Sequence, residues 1–311
     1  MRGSARFGIV LIVLFGLAGR AGAGGNPVGQ LAVANPSSAQ ARPALLAAEA
    51  RADDPELRSE AFLIVDQRSG RVLLERNAAR VAPIASLTKL MTAMVVLDSK
   101  QSLSETLQVS YQDVDTLRKS RSRLPVGARL SRQELLRLAL MASENRAASA
   151  LARNHPGGMR AFVQAMNAKA RALGLQRTRF AESTGLSAGN VSTPRDLARL
   201  VQAAASYPLI RNFSTDSEHA VTINGRVREF RNTNNLVRDP QWDIGLSKTG
   251  YIKEAGRCLV MQAWVQERPL LIVLLDSFGR YTRTADARRL RNWLAEHPWK
   301  RALAAQQASA G

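Results

Sequence analysis

The sequence predicts an α+β fold in which one antiparallel sheet is built from both ends of the chain and a block of helices is inserted between. Three observations carry this. Apolar runs of strand length open the regular part of the chain, over 61–65 and 72–75, and three more close it, over 245–251, 257–265 and 270–276. Between these ends the apolar residues recur at helical spacing. No internal repeat divides the 311 residues, so the first and last strands are free to share a sheet.

The first residues stand outside that core. Arg2 and Arg6 precede an apolar run over 9–19, and Ala21-Gly22-Ala23 follows. A basic start, a short apolar stretch and a small-residue cleavage site make a secretory signal peptide over 1–23, cleaved near Ala23. The run is short for a bilayer span, so no stable membrane anchor is expected; a retained anchor is the alternative. Residues 24–57, rich in Gly, Ala, Pro, Gln and Ser, read as a flexible lead-in with room for a short helix over 45–52. The folded domain is expected over 58–297, and a short basic tail over 298–311.

Within the domain, Asp66-Gln67-Arg68-Ser69-Gly70 joins the first two strands as a hairpin loop. A helix is expected from Ser86 to about Ser99. Ser131-Arg132-Gln133-Glu134 is a capping box that opens a helix toward Ala142. Further helices follow over 147–153 and over 159–173, the latter ending at Gly174. Thr193-Pro194 starts another, with a cap and a proline at its first position. Asn224-Gly225 is a two-residue hairpin turn between 220–223 and 226–230. A last helix, over 285–296, follows the three closing strands.

Composition narrows the function classes. Formal net charge is +19, and loss of Arg2, Arg6 and Arg20 with the leader gives 19 − 3 = +16. Such an excess attracts polyanions. Export directs that attraction to an anionic cell wall or membrane surface and away from nucleic acid. Arginines also outnumber lysines 37 to 7, which equally suits a plain compositional bias. Cys258 is alone, so no intramolecular disulfide forms, and its thiol reads as a small buried apolar group. His155, His219 and His297 match no metal-ligand spacing, and neither metal nor cofactor is expected.

Three short motifs carry the chemistry: Ser86-Leu87-Thr88-Lys89, Ser143-Glu144-Asn145 and Lys248-Thr249-Gly250. From this composition all three in this order are expected roughly 0.002 times by chance. Ser86 and Lys89, three apart on a helix, share a face with Cβ atoms about 5–6 Å apart. A serine hydroxyl needs a neighbour to take its proton, and Lys89 serves if burial and the charge of Lys248 lower its pKa. Ser143 is placed to relay a proton to a leaving amine, and Asn145 to hydrogen-bond a substrate backbone, both from a loop between two helices. Lys248 and Thr249 suit a substrate carboxylate, and Gly250 lets an extended peptide approach the strand. The backbone N–H groups of Ser86 and Tyr251 are the candidate oxyanion hole.

The set S-x-x-K, S-x-N, K-T-G is that of penicillin-binding proteins and class A β-lactamases. Ile84 to Ala93, Met141 to Ala148 and Lys248 to Ile252 resemble the D-alanyl-D-alanine carboxypeptidase family of low-molecular-mass penicillin-binding proteins. Glu254-Ala255-Gly256-Arg257-Cys258-Leu259 and Asp276-Ser277-Phe278-Gly279 are similar to its D-alanyl-D-alanine endopeptidase branch, the penicillin-binding protein 7 type. The resemblance implies a penicillin-binding/β-lactamase-like transpeptidase fold and a periplasmic serine enzyme that cuts D-Ala–diaminopimelate cross-links in peptidoglycan. Its partners would be the peptide stems, with β-lactams as inhibitors. Carboxypeptidase trimming of terminal D-Ala is the alternative, because one Lys248/Thr249 anchor holds either substrate's carboxylate. A β-lactamase lacks support, since no Glu-x-x-x-Asn segment lies between the second and third motifs. A non-catalytic cell-wall-binding protein is the remote alternative, disfavoured by the intact motifs. Two departures stand out: Glu144 occupies the middle of S-x-N, and Ser183 stands where proline is expected.

Overall fold

The computed structural model describes residues 55–296. The signal peptide, almost all of the lead-in with its short helix, and the basic tail lie outside the described residues. Leu57, the last lead-in residue, is buried in the core.

The chain begins with β1 (Ser59–Asp66) and β2 (Val72–Arg76), then the two-residue β3 (Ala82–Pro83) and a 3-10 turn at Ala85–Leu87. The helical block follows: α1 (Thr88–Asp98), the short strands β4 (Thr106–Gln108) and β5 (Arg129–Ser131), α2 (Arg132–Met141), α3 (Asn145–Arg153), α4 (Gly158–Ala172), β6 (Val191–Ser192), α5 (Pro194–Ala204) and α6 (Pro208–Thr215). A hairpin of β7 (Glu218–Ile223) and β8 (Arg226–Arg231) leads to β9 (Asp243–Ile252), β10 (Gly256–Val265), β11 (Arg268–Ser277) and α7 (Thr282–Glu296).

The main sheet has the order β2-β1-β11-β10-β9 and is antiparallel throughout. The N-terminal hairpin therefore joins the C-terminal trio, as expected, with Ile64 opposite Ile272 and Val65 opposite Leu271. Alternate residues of its inner strands feed two cores. Ala61, Leu63, Val260 and Val273 pack with the helical block, whereas Phe62, Ile64, Met261 and Ile272 pack with Leu290 and Leu294 of α7. A sheet covered on both faces needs unbroken apolar strands, which is why these read as runs rather than alternations. Asp286 ties α7 to the start of β1: its carboxylate accepts from the Ser59 amide at 2.8 Å and the Ser59 hydroxyl at 2.6 Å.

Local signals hold closely. Ser131 caps α2 in a full capping box, Thr193 caps α5, and Asn224 and Gly225 both take the positive φ of a two-residue turn. Four features differ from expectation. The α-helix begins at Thr88, so Ser86 sits in the 3-10 turn before it. Asn145 begins α3 instead of lying in the loop, because Glu144 already caps that helix. Helix α6 and the paired strands β3–β6 and β4–β5 were not legible, being too short to show a period.

Candidate active site

Helix α1 runs through the middle of the helical block, and every residue from Thr88 to Val96 is buried. A helix apolar all round belongs in a core, so a lysine in it must find every partner internally. Lys89 does. Its Nζ donates to Ser86 Oγ at 2.9 Å, to Asn145 Oδ1 at 2.7 Å and to the Thr184 carbonyl at 2.5 Å. Burial pushes the ammonium down to about 8, with the carboxylates of Glu182 and Glu144 pulling the other way. Burial is the largest cause of the lowering.

The Thr184 carbonyl is held by a residue the sequence reading passed over. Glu182 accepts from the Thr184 amide and hydroxyl on one oxygen, and from the Gly185 and Ser187 amides and Asn190 Nδ2 on the other. Asn190 in turn donates to Thr88 Oγ1 at 2.9 Å, so the 182–190 loop and the start of α1 are one network. Gly185 has φ +85°, and a Cβ there would stand 2.0 Å from the Ala85 carbonyl, immediately before Ser86. The Ala181-Glu182-Ser183-Thr184-Gly185-Leu186 string was the available signal; its glycine marks the close approach.

The second motif is split between a loop and a helix. Ser143 has φ +57° and its hydroxyl makes no hydrogen bond among the described residues. Glu144 turns inward, accepting from Ser122 Oγ at 2.8 Å and the Arg123 amide at 2.8 Å, so the carboxylate that replaces the expected aspartate is met by the protein's own donors. Asn145 is engaged at both ends of its amide: Oδ1 accepts from Lys89 and Nδ2 donates to Ser120 Oγ at 3.1 Å. A contact with Lys89 is thus added to its expected role toward a substrate backbone. From the first turn of α3 it orients Lys89 and keeps a second N–H and a second lone pair for a substrate backbone. Ser183 donates to the Ala148 carbonyl at 3.3 Å, a packing contact inside the block.

The third motif lies on β9, the edge strand, which packs against the 3-10 turn. A Cβ at Gly250 would stand 3.1 Å from the Ser86 amide nitrogen, so β9 passes against the Ser86 backbone at the residue before Tyr251. Thr249 Oγ1 donates to Thr233 Oγ1 at 2.6 Å. Lys248 is buried with one hydrogen-bond partner among the described residues, the carbonyl of Thr249 at 3.0 Å. Burial first, then the charges of Lys89 and Arg283, hold its pKa well below the usual lysine range. Arg283, also missed in the sequence, reaches from α7 to donate to the Gly250 carbonyl at 3.0 Å. Burial pushes the Cys258 thiol up to about 11, consistent with an inert core group. Among the described residues no His, Cys, Asp and Glu cluster could hold a metal ion, and no helix is long and apolar enough to cross a membrane.

A serine paired to a buried lysine, facing an edge strand that presents a second lysine, is the arrangement of a serine enzyme of the penicillin-binding fold. Solved structures agree. The Streptomyces K15 DD-transpeptidase superposes with a TM-score of 0.71 at 27% identity, covering 77% of this chain and 98% of that one. A D-alanyl-D-alanine carboxypeptidase from Mycobacterium tuberculosis gives 0.71 at 26%, covering 78% and 94%. The chain belongs to the D-alanyl-D-alanine carboxypeptidase family, whose profile matches residues 48–279. Similar relatives include a D-alanyl-D-alanine endopeptidase of Pseudomonas aeruginosa, 53% identical over 77% of this chain and 78% of the relative. An endopeptidase of Escherichia coli is 45% identical over 85% and 89%. A carboxypeptidase of the same species is 32% identical over 77% and 61%.

Proposed function

We propose that this protein is a serine DD-peptidase that hydrolyses D-Ala–diaminopimelate cross-links in peptidoglycan through an acyl-enzyme on Ser86, and that β-lactams inhibit it by acylating the same oxygen. The observation that carries the reading is the 2.9 Å contact between Ser86 Oγ and a buried Lys89 whose pKa is lowered to about 8. A lysine so poised is a proton acceptor near neutral pH.

In the first step the neutral Lys89 amine takes the Ser86 proton as Oγ bonds to the scissile carbonyl carbon. The oxyanion is received by the backbone N–H groups of Ser86 and Tyr251. Collapse breaks the C–N bond, and the proton that Lys89 took passes through the Ser143 hydroxyl to the departing amine, leaving Lys89 neutral again. Water then attacks the ester carbon as one of its protons passes to Lys89; the Oγ–C bond breaks, Lys89 returns the proton to Ser86 Oγ, and the D-Ala carboxylate leaves. Lys248 and Thr249 hold the carboxylate beside the scissile amide; a buried cation with one neutral acceptor is in want of an anion. The endopeptidase preference over terminal trimming rests on the relatives of that name, which are the more similar ones. The reading includes a secreted, periplasmic protein with a signal peptide over 1–23, a catalytic domain over 58–297, peptide stems as partners, and no nucleic-acid partner or stable membrane anchor.

The test is digestion of intact sacculi and of a soluble pentapeptide, with chromatography of the muropeptides. Conversion of dimers to monomers is expected to outpace D-alanine release. D-Alanine release with dimers untouched would move the protein to the carboxypeptidase alternative. Absence of labelling by a fluorescent penicillin would sink the acyl-enzyme itself.

A further inference from the structure

Beside the second motif lies a cavity of about 610 Å³. One wall is Ala142 to Asn145, a second is Arg121 to Arg123, and the third is the end of β8, Glu229 to Arg231. Its position relative to the anchor follows from two hydrogen bonds. Thr249 Oγ1 meets Thr233 Oγ1, and the Thr233 amide donates to the Met141 carbonyl at 3.0 Å. Thr233, two residues past β8, therefore joins the carboxylate-anchor end of β9 to the segment that begins the cavity. The reaction axis runs along β9: carboxylate at Lys248 and Thr249, scissile carbonyl at Tyr251. The anchored carboxylate belongs to the leaving residue, so the cavity adjoins the leaving-group end of the cleft.

Its rim is basic. Arg121 is exposed, and its guanidinium makes no hydrogen bond or ion pair among the described residues. Among the described residues Arg231 has only a loose pairing with Glu218 at 3.9 Å, both side chains about two-thirds exposed. Arg123 is engaged with the Glu229 carbonyl at 2.7 Å and stands over the Phe230 ring. Against these three cations the lining sets the Glu229 carboxylate and the inward-turned Glu144, whose charge is already met by amides and a hydroxyl.

We propose that this cavity is the subsite for the leaving stem peptide and that Arg121 and Arg231 pair with its carboxylates. The proposal rests on the endopeptidase reading and supplies what the three motifs lack. A terminal D-Ala leaves as a single small residue and needs no such volume, whereas a cross-link leaves as a diaminopimelate-containing peptide with several carboxylates. Cavities of about 300–1,000 Å³ suit ligands of that size. Exposed guanidinium–carboxylate contacts add modest affinity each and weaken as salt shortens the Debye length.

The experiment compares the wild type with the Arg121→Ala/Arg231→Ala double variant on a purified cross-linked muropeptide dimer and on the soluble pentapeptide. For the dimer, KM should rise about 5- to 10-fold with kcat nearly unchanged. Terminal D-Ala release and the rate of penicillin acylation should stay at wild-type values, which also reports an intact fold. Raising salt to about 1 M should raise the wild-type dimer KM and move the variant's little. An unchanged dimer KM, or equal losses on both substrates, would overturn the subsite while leaving the endopeptidase reading in place. A wild type inert on the dimer but active on the pentapeptide would remove that reading and the subsite with it.

Discussion

The two walls of the cleft each carry a buried lysine, and they house it differently. On the helical wall Lys89 spends all three of its N–H bonds on fixed acceptors, two of them reaching it from α3 and the 182–190 loop. On the sheet wall Lys248 has one carbonyl, its own neighbour's, and lies in the field of two further cations. A satisfied, desolvated lysine is suited to exchanging a proton with the serine it touches. An under-satisfied one keeps a place for a negative group brought by a ligand. In the proposed mechanism the same residue type serves as base on one wall and as anion seat on the other, and the difference lies in the count of acceptors among the described residues.

The most severe way to break this comparison is to remove what the helical lysine acts on. Ser86→Ala should lower penicillin acylation by more than about 10³-fold, with no covalent adduct in intact-mass spectra and an unchanged circular dichroism spectrum. Persistent adduct formation would assign the nucleophile elsewhere.

Next in size is the sheet wall. Lys248→Met should slow acylation about 10²–10³-fold, since one preorganised charge facing the substrate is removed. It should also raise Tm by about 2–4 °C, because replacing a poorly compensated buried cation with an apolar side chain of similar length removes a desolvation penalty. A variant that is slower and less stable would mean that Lys248 is already satisfied without ligand.

A smaller effect comes from pH. Lys89 acts as a base only when neutral, and its pKa is about 8, so acylation should climb with rising pH and level off above that value. The increase from pH 7 to pH 9 should be about 10-fold. A flat profile across that range, measured by stopped-flow penicillin acylation, would take Lys89 out of the role of base.

The finest probe is Glu182→Gln. The Glu182 charge raises the pKa of Lys89, so its removal should shift the midpoint of that profile below 8. Loss of carboxylate acceptors for the 182–190 loop should cost about 1–3 kcal/mol of stability as well. A midpoint that stays put while Tm falls would give Glu182 a purely structural place.

Much of this was written in local sequence. The capping box at Ser131, the Thr193-Pro194 helix start, the Asn224-Gly225 turn and the five apolar strand runs each depend on neighbours a few residues apart, so they survive in one dimension. The order of strands and helices likewise fixed the α+β class, and the three motifs brought Ser86, Lys89, Ser143 and Lys248 to notice. Contacts across the chain were another matter. The contact of Asn145 with Lys89 spans 56 positions of sequence, and only the packing of α3 against α1 creates it. Glu182 lies 93 positions from Lys89, and its hold on the Thr184 carbonyl exists only once the loop folds over the 3-10 turn. Burial of Lys89 sets its pKa, and burial is a property of the surroundings in space. The sequence by itself determined which chemical groups the protein owns and in what order the backbone lays them out. The tertiary structure alone decided which of those groups are used up on one another and which remain for a ligand, because hydrogen-bond satisfaction and desolvation depend on distance through space.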